Sequence, residues 1–257
     1  PGSAKWQFRV HEHLLSNEGK PAVTLNYEVH HPDDIGTEHD KKNVLEMLAA
    51  DAEEFQQAYS SGHLDANAFV SRFLSPIESC GLARCEEWRE ETLNAHVIPS
   101  LSPRMLIEIE AHKARGHEVV LATATNEFLV KPIATHLKIR HVLASPAQIS
   151  NGEYTGRIGG LACFRGEKLR RAQDWLSQNG EHFSSVESWF YSDSKHDLPL
   201  LQAVNHPFAV SPDEELKAHA AKERWPSISI RSSDPTSSFD KPKDTGQSYG
   251  AGDESSG

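Results

Sequence analysis

Short apolar runs alternate with helical spacings of apolar residues along residues 104–230, a pattern that few folds accommodate. Strands and helices that alternate in this way form a parallel sheet joined by right-handed crossovers, and such sheets bind ligands where their strands end. We therefore expect an α/β fold whose chemistry lies at the carboxyl ends of the strands. The predicted strands are 118–122, 141–144, 186–191 and 207–210, and the predicted helices are 105–113, 129–137, 169–176, 198–204 and 214–221.

The chain on either side of this region has a different pattern. Apolar residues recur at helical spacing between 41 and 100, which predicts a helical bundle. Residues 16–40 instead alternate apolar and polar side chains, which predicts either an inserted hairpin strand or a poorly ordered loop. The last stretch has too few large apolar groups to offset the entropy of ordering it. We expect a helical region at 1–100 with an atypical insert at 16–43, a core at 101–231 and a disordered tail at 232–257.

Turn signals suggest one hairpin within the core. Asn151-Gly152 is a strong turn dipeptide, and Gly159-Gly160 separates two short apolar stretches. We predict that residues 154–158 pair with residues 162–164 around Gly159-Gly160. Hairpin turns also explain these glycines better than a dinucleotide-binding loop, because no GxGxxG string is present.

The charge of the chain restricts its partners. With 37 Asp and Glu against 26 Lys and Arg, the net charge is -11, which argues against nucleic acid and against an anionic membrane as partners. Cys80, Cys85 and Cys163 form no CxxC pair and are odd in number, which favours a reducing compartment. No apolar run approaches the roughly 20 residues of a membrane span. We expect a cytoplasmic protein that binds small molecules.

Two carboxylates follow the predicted strand at 186–191. Asp193 and Asp197 are four residues apart, between an apolar strand and a helix. One carboxylate oxygen there can bind a hard cation directly, while the second carboxylate holds a coordinated water. The pair predicts a magnesium site, with Asp193 and Asp197 as its metal residues. The alternative is that both are ordinary loop and helix-cap carboxylates.

Two further positions favour phosphate binding. The strand at 118–122 runs into small hydroxyl and amide residues, where the Thr123 hydroxyl and backbone N–H groups such as that of Ala124 can bind a phosphate oxygen at a helix start. The alternative is an ordinary helix cap at Thr125 or Asn126. Lys168 lies at the opening of a helix, where its charge opposes the helix dipole unless an anion neutralises it. Many surface lysines occupy such positions without any ligand.

These positions together resemble a known family. The order of strand-Thr, Lys and strand-Asp-x3-Asp, and the strings at 122–126, 154–156, 164–168 and 188–201, are similar to those of the haloacid dehalogenase superfamily, in a group close to phosphoserine phosphatase with some members described as histidinol-phosphate phosphatases. The resemblance implies a Rossmann-like core with a helical cap domain at 1–100, a magnesium ion and a small phosphorylated metabolite as substrate. It implies that Thr123 bonds the phosphoryl group, Lys168 neutralises it, Asp193 binds magnesium and Asp197 steadies the metal shell. His196 stands where related sequences usually have Asn.

The nucleophile of this family is not found in the sequence. The family forms an aspartyl-phosphate on a D-x-D-x-T strand, and the nearest string, Asp33-Asp34-Ile35-Gly36-Thr37, has Ile at the second Asp position. Residues 6–15 look like the stretch that follows the motif, so we expect the catalytic strand to lie upstream of Pro1. The expected function is a magnesium-dependent phosphomonoester hydrolase. The alternative is a non-catalytic phosphate-binding or regulatory protein without the nucleophile.

Overall fold

The computed structural model of the chain describes residues 5–9, 24–28, 57–58, 61 and 63–230. The four strands and five helices predicted from the alternation are present, with ends shifted by a few residues. The strands are β1 Lys5–Arg9, β2 Thr24–Glu28, β3 Val120–Asn126, β4 His141–Ser145, β5 Ala147–Ser150, β6 Glu153–Ile158, β7 Trp189–Ser192, β8 His206–Val210 and β9 Ser227–Ile228. The helices are α1 Ala66–Cys80, α2 Leu82–Thr92, α3 Pro103–Ala114, α4 Glu127–His136, α5 Gly166–Gln178, α6 Leu198–Leu201 and α7 Glu214–Glu223, with shorter helical turns at Leu93–Val97, Ile98–Ser100 and Lys195–Asp197.

Five of the core strands pair in parallel, as the alternation predicts. Strand β3 pairs with β4, with Leu121 opposite Val142. Strand β8 lies between β7 and β9 and is parallel to both, with Tyr191 opposite Phe208. The α/β fold with a parallel sheet is therefore confirmed. The carboxyl end of β7 carries Ser192, and Thr123 lies at the centre of β3, directly after the residues that pair in register with β4.

Among the described strands, β3 and β7 do not pair with each other, so the parallel strands form two sheets rather than one. Helix α5 connects them. It packs against β3 and β4, and its Lys168 side chain reaches Asp197 in the turn that follows β7. The two carboxyl edges are therefore linked through the first turn of α5.

The antiparallel hairpin differs from the prediction. Residues 153–158 are a strand, but they pair with β5 around Asn151-Gly152, and residues 162–164 form no strand. Asn151 and Gly152 have φ of 52° and 86°, the left-handed geometry of the turn that suits a two-residue hairpin. Gly159 is not part of this turn. Its lack of a side chain allows the backbone of Ala147 to approach, since a Cβ there would lie 3.1 Å from that backbone.

The helical region before the core is confirmed for residues 66–100. Helix α1 begins after Asp65, whose carboxylate accepts from the N–H groups of Asn67 and Ala68, and it lies along β6. Its apolar face meets the core in a buried cluster. Arg157 pairs with Glu78 at 2.6 Å, and the Ala162 N–H donates to the Asn67 side chain at 2.7 Å.

Some predictions fall wholly or partly beyond the described residues. Within the insert at 16–43, Thr24–Glu28 is a strand that pairs antiparallel with β1, so the strand alternative holds for those five residues. The rest of the insert and the predicted tail at 232–257 lie outside the described residues. None of the described helices is long and apolar enough to span a membrane, and none of the three cysteines forms a disulfide.

Candidate active site

A buried ion pair is the centre of the candidate site. The Lys168 Nζ lies 2.7 Å from Asp197 Oδ1 and 2.9 Å from Oδ2, and both side chains are about nine-tenths buried. The Ser192 hydroxyl donates to the same Asp197 Oδ2 at 2.7 Å. Two charges buried in this way are stable only when their hydrogen-bond donors and acceptors have partners. The pair therefore holds the ammonium group of Lys168 at the carboxyl edge of β7.

Small hydroxyl residues shape the turn that carries Asp197. The Ser194 N–H donates to Ser192 Oγ at 3.1 Å, and the His196 N–H donates to Ser194 Oγ at 3.2 Å. The Asp197 N–H then closes the 3₁₀ turn on the Ser194 carbonyl. Serines accept from nearby backbone N–H groups and so stabilise tight turns and helix starts. Sequence reasoning missed Ser192 and Ser194, although two serines flanking Asp193 at a strand end are a readable signal.

Asp193 lies between these serines and is half-buried. Its carbonyl accepts from the Asp213 N–H at 2.7 Å, and Asp213 Oδ2 accepts from the Lys195 N–H at 2.8 Å. Asp213 also caps helix α7 by accepting from the Leu216 N–H. The loop after β7 is thus fixed to the start of α7 by a residue that the sequence did not single out.

Thr123 lies at the centre of β3 and is almost completely buried. Its hydroxyl oxygen accepts from the Thr125 N–H at 3.0 Å, which turns the chain toward α4. The helix cap itself is Asn126, whose side chain accepts from the Leu129 N–H at 3.1 Å. Thr123 is therefore not the cap, and α4 begins four residues later. The Ala124 carbonyl accepts from the Ser145 hydroxyl of the neighbouring strand.

The structure thus brings Lys168 and Asp197 into direct contact and places Asp193 in the same loop. Thr123 and Ala124 lie on β3, the strand against which α5 packs. His196 is buried in the turn before Asp197. Asp33 and Asp34, the nearest candidates for a nucleophile, lie outside the described residues.

The donor atoms at the site fit a magnesium ion that is bound partly by protein carboxylates and partly by water and a substrate phosphate. Mg²⁺ usually keeps several waters and binds one or two carboxylates together with a substrate phosphate. Asp193 supplies one half-buried carboxylate, whereas Asp197 already bonds Lys168 and Ser192. In the described part of the chain, no group of three or more His, Cys, Asp or Glu side chains is arranged to hold a metal. These residues therefore do not form a complete metal site from protein ligands alone.

The structure holds a lysine on a carboxylate at the edge of a parallel sheet, beside a second carboxylate, and comparison with known proteins makes this chain a phosphatase by class. It belongs to the haloacid dehalogenase-like hydrolase family, whose model matches residues 34–202.

Individual relatives agree with this assignment. A histidinol-phosphatase of Neisseria meningitidis is 32% identical over 195 residues, which cover 74% of this chain and 88% of the relative. The crystal structure of a protein of unknown function from Bordetella pertussis matches with a TM-score of 0.68 and 30% identity, over 77% of this chain and 89% of that one. A substrate-bound phosphoserine phosphatase matches at a TM-score of 0.52 and 14% identity, over 77% and 86%, which shows the shared fold alone.

Proposed function

We propose that the chain is a magnesium-dependent phosphomonoester hydrolase that acts on a small phosphorylated metabolite. The observation that carries the proposal is the buried Lys168–Asp197 pair at the carboxyl edge of β7. A lysine in the first turn of a helix is opposed by the helix dipole. Asp197 already offsets much of that cost, and an incoming phosphate that shares the ammonium group with Asp197 adds a second counter-charge, so Lys168 neutralises the substrate.

The other site residues receive roles from their positions. The Thr123 hydroxyl and the Ala124 N–H, both on β3, bond the phosphoryl oxygens. Asp193 binds magnesium as a carboxylate ligand, and Asp197 orients Lys168 and supports the metal shell. A bound Mg²⁺ supplies a Lewis acid that offsets the negative charge of the phosphate. Lys168 and Thr123 then orient the phosphoryl group for attack by a nucleophile.

The substrate proposal draws on the relatives. Phosphoserine and histidinol phosphate are the leading compounds, since a histidinol-phosphatase and phosphoserine phosphatases are among the similar proteins. We assign residues 1–100 to a cap that closes over the substrate and excludes water, and 101–231 to the catalytic core. The net charge of -11 supports a small metabolite rather than nucleic acid or a membrane surface as the partner. Cysteines without disulfides support a cytoplasmic location.

A second candidate is a protein that binds phosphate without hydrolysing it. It is favoured by one observation, that the 257 residues contain no D-x-D-x-T string. Such a protein retains Lys168, Thr123 and Asp193 for binding. It differs from the enzyme in turnover and not in phosphate affinity, so the two candidates are separable by experiment.

The Asp193→Asn variant tests the metal role. An amide lacks the charge that a hard cation requires, so the magnesium affinity measured by titration calorimetry in the presence of inorganic phosphate should fall by about tenfold or more. Asp174→Asn is the matched control, because Asp174 is a half-exposed carboxylate on α5 that pairs with Arg170. Equal magnesium affinities of the parent and Asp193→Asn would remove Asp193 from the site.

A further inference from the structure

A proline interrupts the hydrogen bonding of α4 soon after the helix begins. Pro132 lies inside this helix, which starts at Glu127. A proline has no N–H to donate, and its ring crowds the carbonyl four residues earlier, which here belongs to Phe128. The regular helical bond between residues 128 and 132 is therefore missing. Phe128 is only 6% exposed, so its carbonyl gains most from a donor within the protein.

Arg89 of α2 supplies that donor. Its Nη1 donates to the Phe128 carbonyl at 3.1 Å, and its guanidinium carbon lies 4.5 Å from the centre of the Phe128 ring. The Nε and Nη2 groups donate to Glu90 Oε1 at 3.3 and 3.0 Å, which holds the guanidinium plane in place. The Arg89 side chain is only 13% exposed. One arginine thus binds both the backbone and the ring of the same residue.

This contact joins the helical region at 66–100 to the segment that we propose binds phosphate. Phe128 lies in the first turn of α4, shortly after the capping residue Asn126. Its ring is buried in the cluster shared by α1, α2 and the hairpin, edge-on to Tyr154 with 5.6 Å between the ring centres. The start of α4 is therefore held from the helical region at two points, the carbonyl through Arg89 and the ring through the buried cluster.

A second arginine joins the helical region to the core, but its partner is of another kind. Arg157 of β6 pairs with Glu78 of α1, and both side chains are more than half exposed. Exposed pairs of this kind contribute little to stability, because water solvates the separated charges well. A buried carbonyl without a donor instead carries its full desolvation cost. The contribution of Arg89 should therefore depend on Pro132, whereas that of Arg157 should not.

We propose that Arg89 is a positioning residue that bonds the carbonyl left without a helical donor by Pro132. It thereby fixes the first turn of α4, and the segment 123–126 before it, against the helical region. The contact and its dependence on Pro132 stand on the geometry alone. The consequence for phosphate binding rests on the proposed function.

A double-mutant cycle tests the dependence on Pro132. Pro132→Ala restores an N–H that can bond the Phe128 carbonyl within the helix, so the arginine is no longer its required donor. Arg89→Met should lower the urea unfolding midpoint of the 257-residue chain, and should lower that of Pro132→Ala by about half as much or less. Arg157→Met is the matched control and should lower both midpoints equally. Equal losses for Arg89→Met in the two backgrounds would overturn the proposal.

Carbon-13 NMR of the Phe128 carbonyl gives a readout that a general loss of stability does not move. In chains labelled at the phenylalanine carbonyls, the signal is assigned from its loss in Phe128→Leu. A carbonyl that loses its hydrogen bond shifts upfield, so Arg89→Met should move the signal upfield. Adding Pro132→Ala should return it toward the position in the Pro132→Ala variant alone. An unmoved signal in the folded Arg89→Met variant would overturn the proposal.

Inorganic phosphate affinity, measured by titration calorimetry with magnesium present, distinguishes this inference from the proposed function. Arg89→Met should bind phosphate several-fold more weakly than the parent, and Arg89→Met/Pro132→Ala should bind like Pro132→Ala. Lys168→Met should lose most of its binding. If Lys168→Met binds like the parent, the proposed function fails, and the unfolding cycle and the Phe128 signal decide the role of Arg89. If only Arg89→Met binds like the parent, the proposed function stands and the positioning role of Arg89 is wrong.

Discussion

Lys168 and Asp197 compensate each other's charge in a place where both side chains are about nine-tenths buried. Removal of one partner leaves the other charge buried and uncompensated, whereas removal of both leaves an apolar contact. We expect Lys168→Met to destabilise the protein by about 3–5 kcal/mol. The double variant Lys168→Met/Asp197→Leu should lose less than Lys168→Met alone. Urea unfolding of the parent, both single variants and the double variant measures the coupling, and additive losses would contradict a buried pair.

A second buried group, the imidazole of His112, should make the stability of the protein depend on pH. His112 on α3 bonds His117 at 2.9 Å, Nδ1 to Nδ1, and its Nε2 lies 2.9 Å from the Tyr191 hydroxyl. Two nitrogens at that distance share one proton, so the histidines cannot both be charged. Burial lowers the pKa of His112 below its usual 6.5, with the positive charges of His117 and Arg115 acting in the same direction.

The stability of the parent should therefore fall as the pH decreases below about 6.5. The unfolded chain takes up the His112 proton more readily than the folded chain, so acid favours unfolding until the folded pKa is passed. Between pH 7.5 and 5.5 the parent should lose about 1 kcal/mol more unfolding free energy than His112→Gln. Glu108 also faces this cluster, and burial raises its pKa, but it titrates in both proteins and cancels in the comparison. Equal losses in the two proteins would contradict the neutral His112.

At the residue scale, the sequence identified groups with strong chemical identities. Lys168 and the carboxylates Asp193 and Asp197 were found because a charge at a helix start or a strand end is conspicuous. The serines and Asp213 were missed because their roles depend on backbone N–H groups brought close by folding. The left-handed backbone of Arg165, with a φ of 54°, was equally invisible, since a positive φ at an arginine has no signal in composition or spacing.

At the scale of helices and strands, the contact between α1 and β6 depends on a glycine. Gly156 has a φ of 86°, and a Cβ there would lie 2.7 Å from the Glu78 backbone nitrogen. Gly152 has the same φ in the hairpin turn, with no atom within 4 Å of its Cβ position. The two glycines differ mainly in the approach of the helix, which makes them a matched pair.

Alanine at these two positions separates backbone strain from steric overlap. Gly152→Ala should cost about 1–2 kcal/mol for the left-handed backbone alone. Gly156→Ala should cost about 1–3 kcal/mol more, because α1 must move away from β6. Chemical denaturation of both variants gives the difference. Equal costs would mean that α1 adapts freely and that the helical region is only loosely attached to the hairpin.

The hairpin also shows why the strand at 154–158 was predicted correctly but its partner strand was not. Gly159-Gly160 reads as a turn, yet Gly159 is required by the close approach of Ala147, and Gly156 by that of α1. A glycine needed for contact and a glycine needed for a turn look identical in a sequence. The alternation of strands and helices was readable because it repeats over many residues, whereas pairing is decided by contacts between distant ones.

On the scale of the whole molecule, the two parallel sheets are joined at their carboxyl edges by the first turn of α5. In the part of the chain that is described, β3 and β7 each pair with only one strand, so the site is assembled from both sheets through Lys168 and Asp197. The 257 residues contain the groups that we propose bind a phosphate, but no D-x-D-x-T string. If these residues bind the phosphate but supply no nucleophile, only water can react with the ester.

The most direct measurement is magnesium-dependent phosphate release from phosphoserine and histidinol phosphate by two folded proteins, the 257-residue chain and a version with a D-x-D-x-T strand added before Pro1. Phosphate-monoester hydrolysis is so slow without catalysis that accelerations reach about 10²¹-fold, and charge neutralisation alone does not supply them. We predict turnover by the extended version, its loss in the extended Asp193→Asn variant, and little or none by the 257-residue chain. Robust turnover by the 257-residue chain, or magnesium-independent turnover by the extended version, would contradict this account.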